Sequence, residues 1–78
     1  MKVGTLVSTA SSLSDKANVF NTPVVAQGSF WISNGKLGIV VDVGDPKNGT
    51  YCGEVLVLFE DGRTGWVAKV HLEILQQL

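Results

Sequence analysis

The stretch FEDGRTGWVAKVHLEIL, residues 59–75, decides the fold that the sequence predicts. Asp61 and Gly62 can supply the positive φ angles of a type I′ turn, so the residues on either side should form a hairpin. Residues 68–71 are too few for an α-helix and fit a single 3₁₀ turn. Leu72 and Ile74 then begin a last strand. Strand, tight turn, strand, 3₁₀ turn and strand is a succession typical of a small β-barrel.

Two strands are predicted upstream, at residues 36–43 and 53–60, because apolar residues recur there at period two. In the first strand we expect the core to take the apolar residues with odd numbers: Leu37, Ile39, Val41 and Val43. In the second strand we expect Val55, Val57 and Phe59 to enter the core. Leu56 and Leu58 then face away from it.

The first 34 residues give weaker signals. Residues 3–9 predict a first strand. Residues 10–34 predict a long arm, either a small hairpin or irregular, which ends in a short strand at 29–32. Pro23 argues against a central strand within this arm, because proline cannot donate to a ladder. The sequence therefore predicts one all-β domain over residues 1–78. We expect a small barrel of five to six antiparallel strands, with a long arm after the first strand and one 3₁₀ turn before the last.

Composition points towards association. The chain has 78 residues, of which 45% are hydrophobic and only 17% charged, against the usual quarter. A domain of this size buries roughly 60% of the surface of its unfolded chain, which is marginal for one core. The single cysteine, Cys52, and the single histidine, His71, exclude a disulfide or a metal staple within one chain. We expect a homo-oligomer or a complex with a partner protein.

Charge disfavours nucleic acid as a partner. The net charge is −1, and the basic residues are dispersed along the chain: Lys2, Lys16, Lys36, Lys47, Arg63 and Lys69. A protein that binds phosphates normally shows a basic footprint. No apolar run approaches the roughly 20 residues of a membrane span, and no long apolar region follows Lys2 as in a secretory signal. We therefore expect no membrane association and a cytoplasmic location.

The tail GRTGWVAKVHLEIL, residues 62–75, resembles the end of an SH3-like barrel, in which a Gly-aromatic-Val strand runs into a 3₁₀ turn and a short final strand. The chain as a whole also resembles small uncharacterised proteins of tailed phages, particularly those of cyanobacteria. It shares with them the opening Lys-Val-Gly-x-Leu-Val, the middle Gly-Ile-Val and the closing Val-x-Phe-x-Asp-Gly. This second resemblance implies a viral origin and a host-cell cytoplasm, and it implies no known activity.

Two functions of SH3-like proteins are disfavoured by the same residues. Peptide-binding SH3 domains hold a polyproline helix in an aromatic groove, and the groove aromatics of that family are missing or displaced here, so no polyproline peptide is expected. The type II dihydrofolate reductase is a tetramer of such barrels with a Val-Gln-Ile-Tyr stretch in its pore. The comparable residues 66–71 preserve neither Gln nor Tyr, which leaves a small oligomeric enzyme of this kind as a remote alternative.

The sequence offers little for catalysis. Cys52 and His71 could form a thiolate-imidazolium dyad, but no third residue suggests itself to orient the imidazole. Asp42, Asp45 and Asp61 lack the dense spacing of a calcium loop. We expect no enzyme activity, no cofactor and no metal.

The best candidate for function is an apolar surface. Phe30 and Trp31 are adjacent on a strand and must point to opposite faces, so one of them leaves the core. Together with Leu56 and Leu58 they predict an interaction surface, whereas Trp66 is expected to cover one end of the core. The alternative is a nucleic-acid-associated barrel, which would place Lys36, Lys47 and Tyr51 on one face.

Overall fold

The computed structural model of the chain describes residues 1–11, 15–21, 28–44 and 54–77. These residues form seven strands and one 3₁₀ turn, Lys69–His71. The strands are β1 (Leu6–Thr9), β2 (Lys16–Phe20), β3 (Ser29–Ser33), β4 (Leu37–Val43), β5 (Val55–Phe59), β6 (Thr64–Val67) and β7 (Leu72–Gln76). The all-β class, the 3₁₀ turn and the last strand are confirmed. None of the described residues belongs to a helix that could cross a membrane.

The strands form one sheet in the order β3-β2-β6-β5-β4-β1-β7, and every neighbouring pair is antiparallel. No strand ladder joins β3 to β7 in the described residues, so the sheet is not closed. The expected five to six strands are too few. The difference comes from residues 10–34, where β2 and β3 pair over five residues each, from Lys16 opposite Ser33 to Phe20 opposite Ser29. A hairpin is therefore the form that the arm takes in its described part.

One side of the sheet carries the core. Its buried members are mostly β-branched, which suits a pleated surface: Val7, Val19, Ile32, Val40, Val55, Val57, Phe59 and Val67. The alternation predicted for β5 is confirmed, because Val55, Val57 and Phe59 are all buried.

The alternation predicted for β4 is wrong. Gly38 and Val40 face the core, while Leu37 and Ile39 are exposed. Gly38 lies opposite Phe59, and a Cβ on Gly38 would overlap Val57 Cγ1 and lie 3.1 Å from the Leu58 carbonyl oxygen. Position 38 therefore requires glycine, because the core leaves no room for a Cβ. An irregularity in the ladder between Val40 and Asp42 then changes the alternation, which is why Asp42 still faces solvent.

The turn between β5 and β6 also differs from the expected type I′ turn. That turn needs positive φ at both central residues, yet Gly62 alone has it here, at 90°. The Gly62 N–H donates to the Phe59 carbonyl at 2.9 Å, and the Phe59 N–H donates to the Arg63 carbonyl at 2.8 Å. This is the three-residue hairpin loop in which an ordinary turn is followed by a glycine with positive φ.

Candidate interaction surface

An apolar band crosses the side of the sheet opposite the core, from β2 to β1. Cross-strand neighbours on this side include Phe20 opposite Trp66, Trp66 opposite Leu56, Leu58 opposite Ile39, and Ile39 opposite Leu6. Directly opposite side chains lie close enough to contact one another. We call this set the apolar outer face: Leu6, Phe20, Leu37, Ile39, Leu56, Leu58 and Trp66.

A groove lies in the apolar outer face where β1, β4 and β5 run side by side. Its volume is about 240 Å³. Leu6, Leu37, Ile39 and Leu58 line it, and Gly38 forms part of its floor. Ile39 is 45% exposed and Leu58 is 41% exposed.

Charged residues also lie on this side of the sheet and in its turns, and the described residues form three ion pairs among them. Lys36 Nζ lies 3.7 Å from Glu60 Oε1, and Lys69 Nζ lies 3.8 Å from Glu54 Oε2. The third pair joins Arg63 to Asp61 in the turn after β5, with 2.6 Å between Nη2 and Oδ2. An apolar centre within a polar rim is the usual anatomy of a protein interface.

The structure separates the two predicted aromatics. Trp31 leaves the core and is 58% exposed on β3. Phe30 points the other way, is half-buried and packs against the core. The Arg63 guanidinium lies 5.0 Å from the centre of the Phe30 ring, a cation–π distance.

Of the four residues predicted as one surface, the structure places Phe30 against the core and the other three on the outer side of the sheet. Leu56 and Leu58 share the outer side of β5, Leu56 half-buried and Leu58 exposed. Trp31 lies three strands away, since β2 and β6 come between β3 and β5. Trp66 was expected over one end of the core, but it lies half-buried on the outer side of β6. Trp66, Leu37 and Ile39 join Leu56 and Leu58 in a surface that the sequence analysis did not assemble. No apolar signal in the sequence marks this surface, because the buried residues beside Leu37, Ile39 and Trp66 include two glycines, Gly38 and Gly65.

The alternative basic face cannot be assembled from the described residues. Lys47 and Tyr51 lie outside them. Lys36 is half-buried and faces Glu60, so its charge is already balanced within the chain.

The residues considered for catalysis or metal binding have structural partners where they are described. Cys52 and Asp45 lie outside the described residues. His71 Nδ1 is 3.0 Å from Ser11 Oγ. The Asn34 side chain bonds the backbone of Ser11 in both directions, accepting from its N–H at 3.1 Å and donating to its carbonyl at 3.2 Å. This contact ties the end of β1 to the 3₁₀ turn and to the turn after β3.

The other two aspartates are held locally. Asp42 Oδ1 accepts from the Val43 N–H at 2.8 Å, and Asp61 binds Arg63. Within the part of the chain that the structure describes, no cluster of three or more His, Cys, Asp or Glu residues could hold a metal ion.

Comparison with known proteins adds no relative. No protein family, no curated protein and no solved structure matches this chain.

Proposed function

We propose that this protein is a non-enzymatic protein–protein interaction module that binds through its apolar outer face. The observation that carries the proposal is the groove between β1, β4 and β5, an apolar depression with an exposed leucine and isoleucine at its edges. Large apolar patches rimmed by polar residues mark interaction sites on soluble proteins. The occupant is a second copy or a protein that presents an apolar group.

The expected energetics fit such a site. Burying the exposed part of Leu58 or Ile39 contributes about 1 kcal/mol each, because the full burial of such a side chain is worth roughly 1.5–3 kcal/mol. The ion pairs already formed among the described residues add little affinity, since exposed pairs are worth less than about 1 kcal/mol. Binding should therefore depend on the apolar centre and respond weakly to salt.

The fold that we propose for the module is an SH3-like barrel. Five strands in the order β6-β5-β4-β1-β7, with a 3₁₀ turn between β6 and β7, support it. The β2–β3 hairpin is then an insertion between the first two barrel strands. An origin in a tailed phage is part of the same proposal and rests on the sequence resemblance alone.

The test replaces an apolar residue of the groove with a charged one. We expect Leu58→Lys to remain folded, because Leu58 already contacts solvent, and to lose the partner. Val70→Lys is the matched control, since Val70 is the most exposed of the large apolar side chains in the described residues, at 69%, and lies on the 3₁₀ turn away from the groove. Circular dichroism reports folding, and light scattering over a hundredfold dilution reports self-association.

A partner other than a second copy needs a second readout. Tagged wild type and both variants can be incubated with a host-cell extract. We expect one protein to be retained by wild type and Val70→Lys and lost from Leu58→Lys. The double variant Leu56→Lys with Leu58→Lys should also fold and should retain no protein from the extract. If the double variant unfolds, the outer side of β5 is part of the core and the proposal fails.

A further inference from the structure

Among the described residues, none pairs with the outward edge of β3, the strand at one end of the sheet. Beyond its two ends, the Asn34 N–H donates to the Asp15 carbonyl at 2.9 Å and the Asn21 N–H donates to the Gly28 carbonyl at 3.1 Å. Bonded and non-bonded residue pairs alternate in an antiparallel ladder. The even-numbered residues of β3 therefore bond to β2, and the N–H and C=O groups of Ser29, Trp31 and Ser33 point away from the sheet.

The C-terminal end of β3 is covered by Thr9 of β1. Thr9 Oγ1 donates to the Ser33 carbonyl at 2.7 Å, and the Gly35 N–H donates to the Thr9 carbonyl at 2.7 Å. The free part of the edge is therefore short and runs from Ser29 to Trp31.

This free edge lacks the usual protection against pairing. Proteins guard end strands with charged residues, prolines or bulges. The sequence of β3 is SFWIS, without charge or proline, and its ladder with β2 has no register shift. The strand at the other end, β7, carries Glu73, has an irregularity in its ladder with β1, and has its Leu72 N–H bonded to the Lys69 carbonyl.

We propose that residues 29–31 pair with the same residues of a second copy of this chain, antiparallel and across a two-fold axis at Phe30. Ser29 of each copy then lies opposite Trp31 of the other, and the four free N–H groups meet four free carbonyls. Because the strand is uncharged, nothing on it repels its own copy, as like charges directly opposite would. Two-fold symmetry, in which both copies use the same surface, is the commonest symmetry of homo-oligomers.

The contact covers what the single chain leaves exposed. Trp31 is the most exposed aromatic side chain among the described residues, at 58%, and it would pack over Ser29 of the second copy on the outer side. On the inner side the two Phe30 rings meet, which extends the core of each copy. The interface is smaller than the roughly 1,600 Å² of a standard complex, so the dimer should dissociate on dilution.

This inference goes beyond the proposed function, because the edge of β3 is not part of the apolar outer face. Sedimentation velocity over a hundredfold dilution tests it. We expect wild type to move from a dimer, twice 8.3 kDa, to a monomer. Trp31→Lys should lower the association constant at least tenfold, since it places a lysine of each copy beside the axis. Its matched control is Ile74→Lys, at an exposed residue of the other end strand, which should dimerise like wild type.

A second pair of variants tests the backbone bonds. Ser29→Pro removes an outward N–H that β2 does not use, and Ser29→Ala keeps it. We expect dimerisation to be lost in the first and retained in the second. If Ser29→Pro fails to fold, Trp31→Lys and Ile74→Lys decide the question.

Three results would overturn the inference: a wild type that stays monomeric at every concentration, a Trp31→Lys variant that dimerises normally, or a dimer lost only in Ile74→Lys. A dimer lost in Leu58→Lys but kept in Trp31→Lys would also overturn it, while supporting the proposed function. Retention of the dimer in Leu58→Lys, with loss of a partner protein, supports both.

Discussion

Strands β4 and β5 are neighbours with similar sequences, yet their interpretation from sequence succeeds in one and fails in the other. Both strands carry apolar residues on both of their sides, with the sequence LGIVVDV in β4 and VLVLF in β5. In β5 the outer side is labelled by glutamates at residues 54 and 60, in step with Leu56 and Leu58. Around β4 the even-numbered residues include Lys36, just before the strand, and Asp42, which suggests an outer side, but Gly38 and Val40 between them are buried.

The difference shows that charged residues indicate the solvent-facing side of a strand only where successive residues alternate regularly between its two sides. The irregularity after Val40 lets Asp42 reach solvent although Val40 does not. Lys36 precedes the strand and reaches Glu60. The charged residues at and beside the ends of β4 therefore reach solvent through local backbone geometry. Packing in the core determines which side the central residues face.

The substitution with the largest expected effect on stability adds a methyl group at Gly38. We expect Gly38→Ala to lower the free energy of unfolding by about 3 kcal/mol, at the upper end for overpacking. The added Cβ would overlap Val57 Cγ1, lie 3.1 Å from the Leu58 carbonyl oxygen and lie 3.3 Å from Phe59 Cδ1. Urea unfolding at constant m-value measures the change.

A double-mutant cycle sharpens this test. Val57→Ala removes the methyl group that the new Cβ would meet, so the double variant should be more stable than the sum of the two single changes by about 1 kcal/mol. Additive effects would show that Gly38 does not face Val57.

A second test compares two adjacent valines of β4. We expect Val40→Ala to cost about 2 kcal/mol, from lost burial and the cavity that remains, because Val40 is fully buried. Val41→Ala should change stability by less than about 0.5 kcal/mol, because Val41 is exposed. The same urea series measures both. If Val41→Ala cost more stability than Val40→Ala, Val41 would face the core, as the alternation in the sequence suggests.

The smallest expected effect concerns the charged turn that follows β5. The Asp61 carboxylate accepts from Arg63 Nε at 2.8 Å and from the Arg63 N–H at 3.0 Å. These two bonds, the side-chain one first, hold the pKa of Asp61 below its usual range. Since the pKa is lower in the folded state, the stability that it contributes is present above roughly pH 3.9 and is lost as the pH falls through the folded value.

We therefore expect Asp61→Asn to be slightly less stable than wild type at pH 7, with a difference that shrinks in acid. Thermal unfolding at several pH values measures it. Glu73→Gln removes a charge from an exposed residue of β7 and serves as the control. A difference that is constant from pH 7 to strong acid would contradict the role assigned to the Asp61–Arg63 contact.

Much of the fold could be predicted because residues 59–75 determine their structure locally. A glycine in the turn, a stretch too short for an α-helix and an alternating tail determine β6, the 3₁₀ turn and β7 with little help from distant residues. The predicted type of turn was wrong because Asp61-Gly62 is compatible with more than one hairpin loop, and the φ angles and the hydrogen bonds of Phe59 distinguish them.

The remainder depended on contacts between distant residues. Strand β2 has a polar residue, Asn18, between Ala17 and Val19, and its pairing with β3 gives it a place in the sheet. The candidate site was predicted only at Leu56 and Leu58, where the neighbouring glutamates indicated the solvent-facing side of the strand. Leu37, Ile39 and Trp66 were missed because Gly38 and Gly65 occupy the buried positions beside them, and a glycine carries no apolar signal.

The measurement that tests the apolar outer face most directly is the exposure of isoleucine methyl groups to a soluble paramagnetic agent, followed by NMR. The chain has three isoleucines, and the structure gives them distinct environments, with Ile32 buried at 2% and Ile39 and Ile74 exposed at 45% each. We expect the agent to broaden the signals of Ile39 and Ile74 strongly in dilute protein, while Ile32 stays sharp. An Ile39 signal as protected as that of Ile32 at every dilution would contradict the account, because Ile39 would then belong to the core.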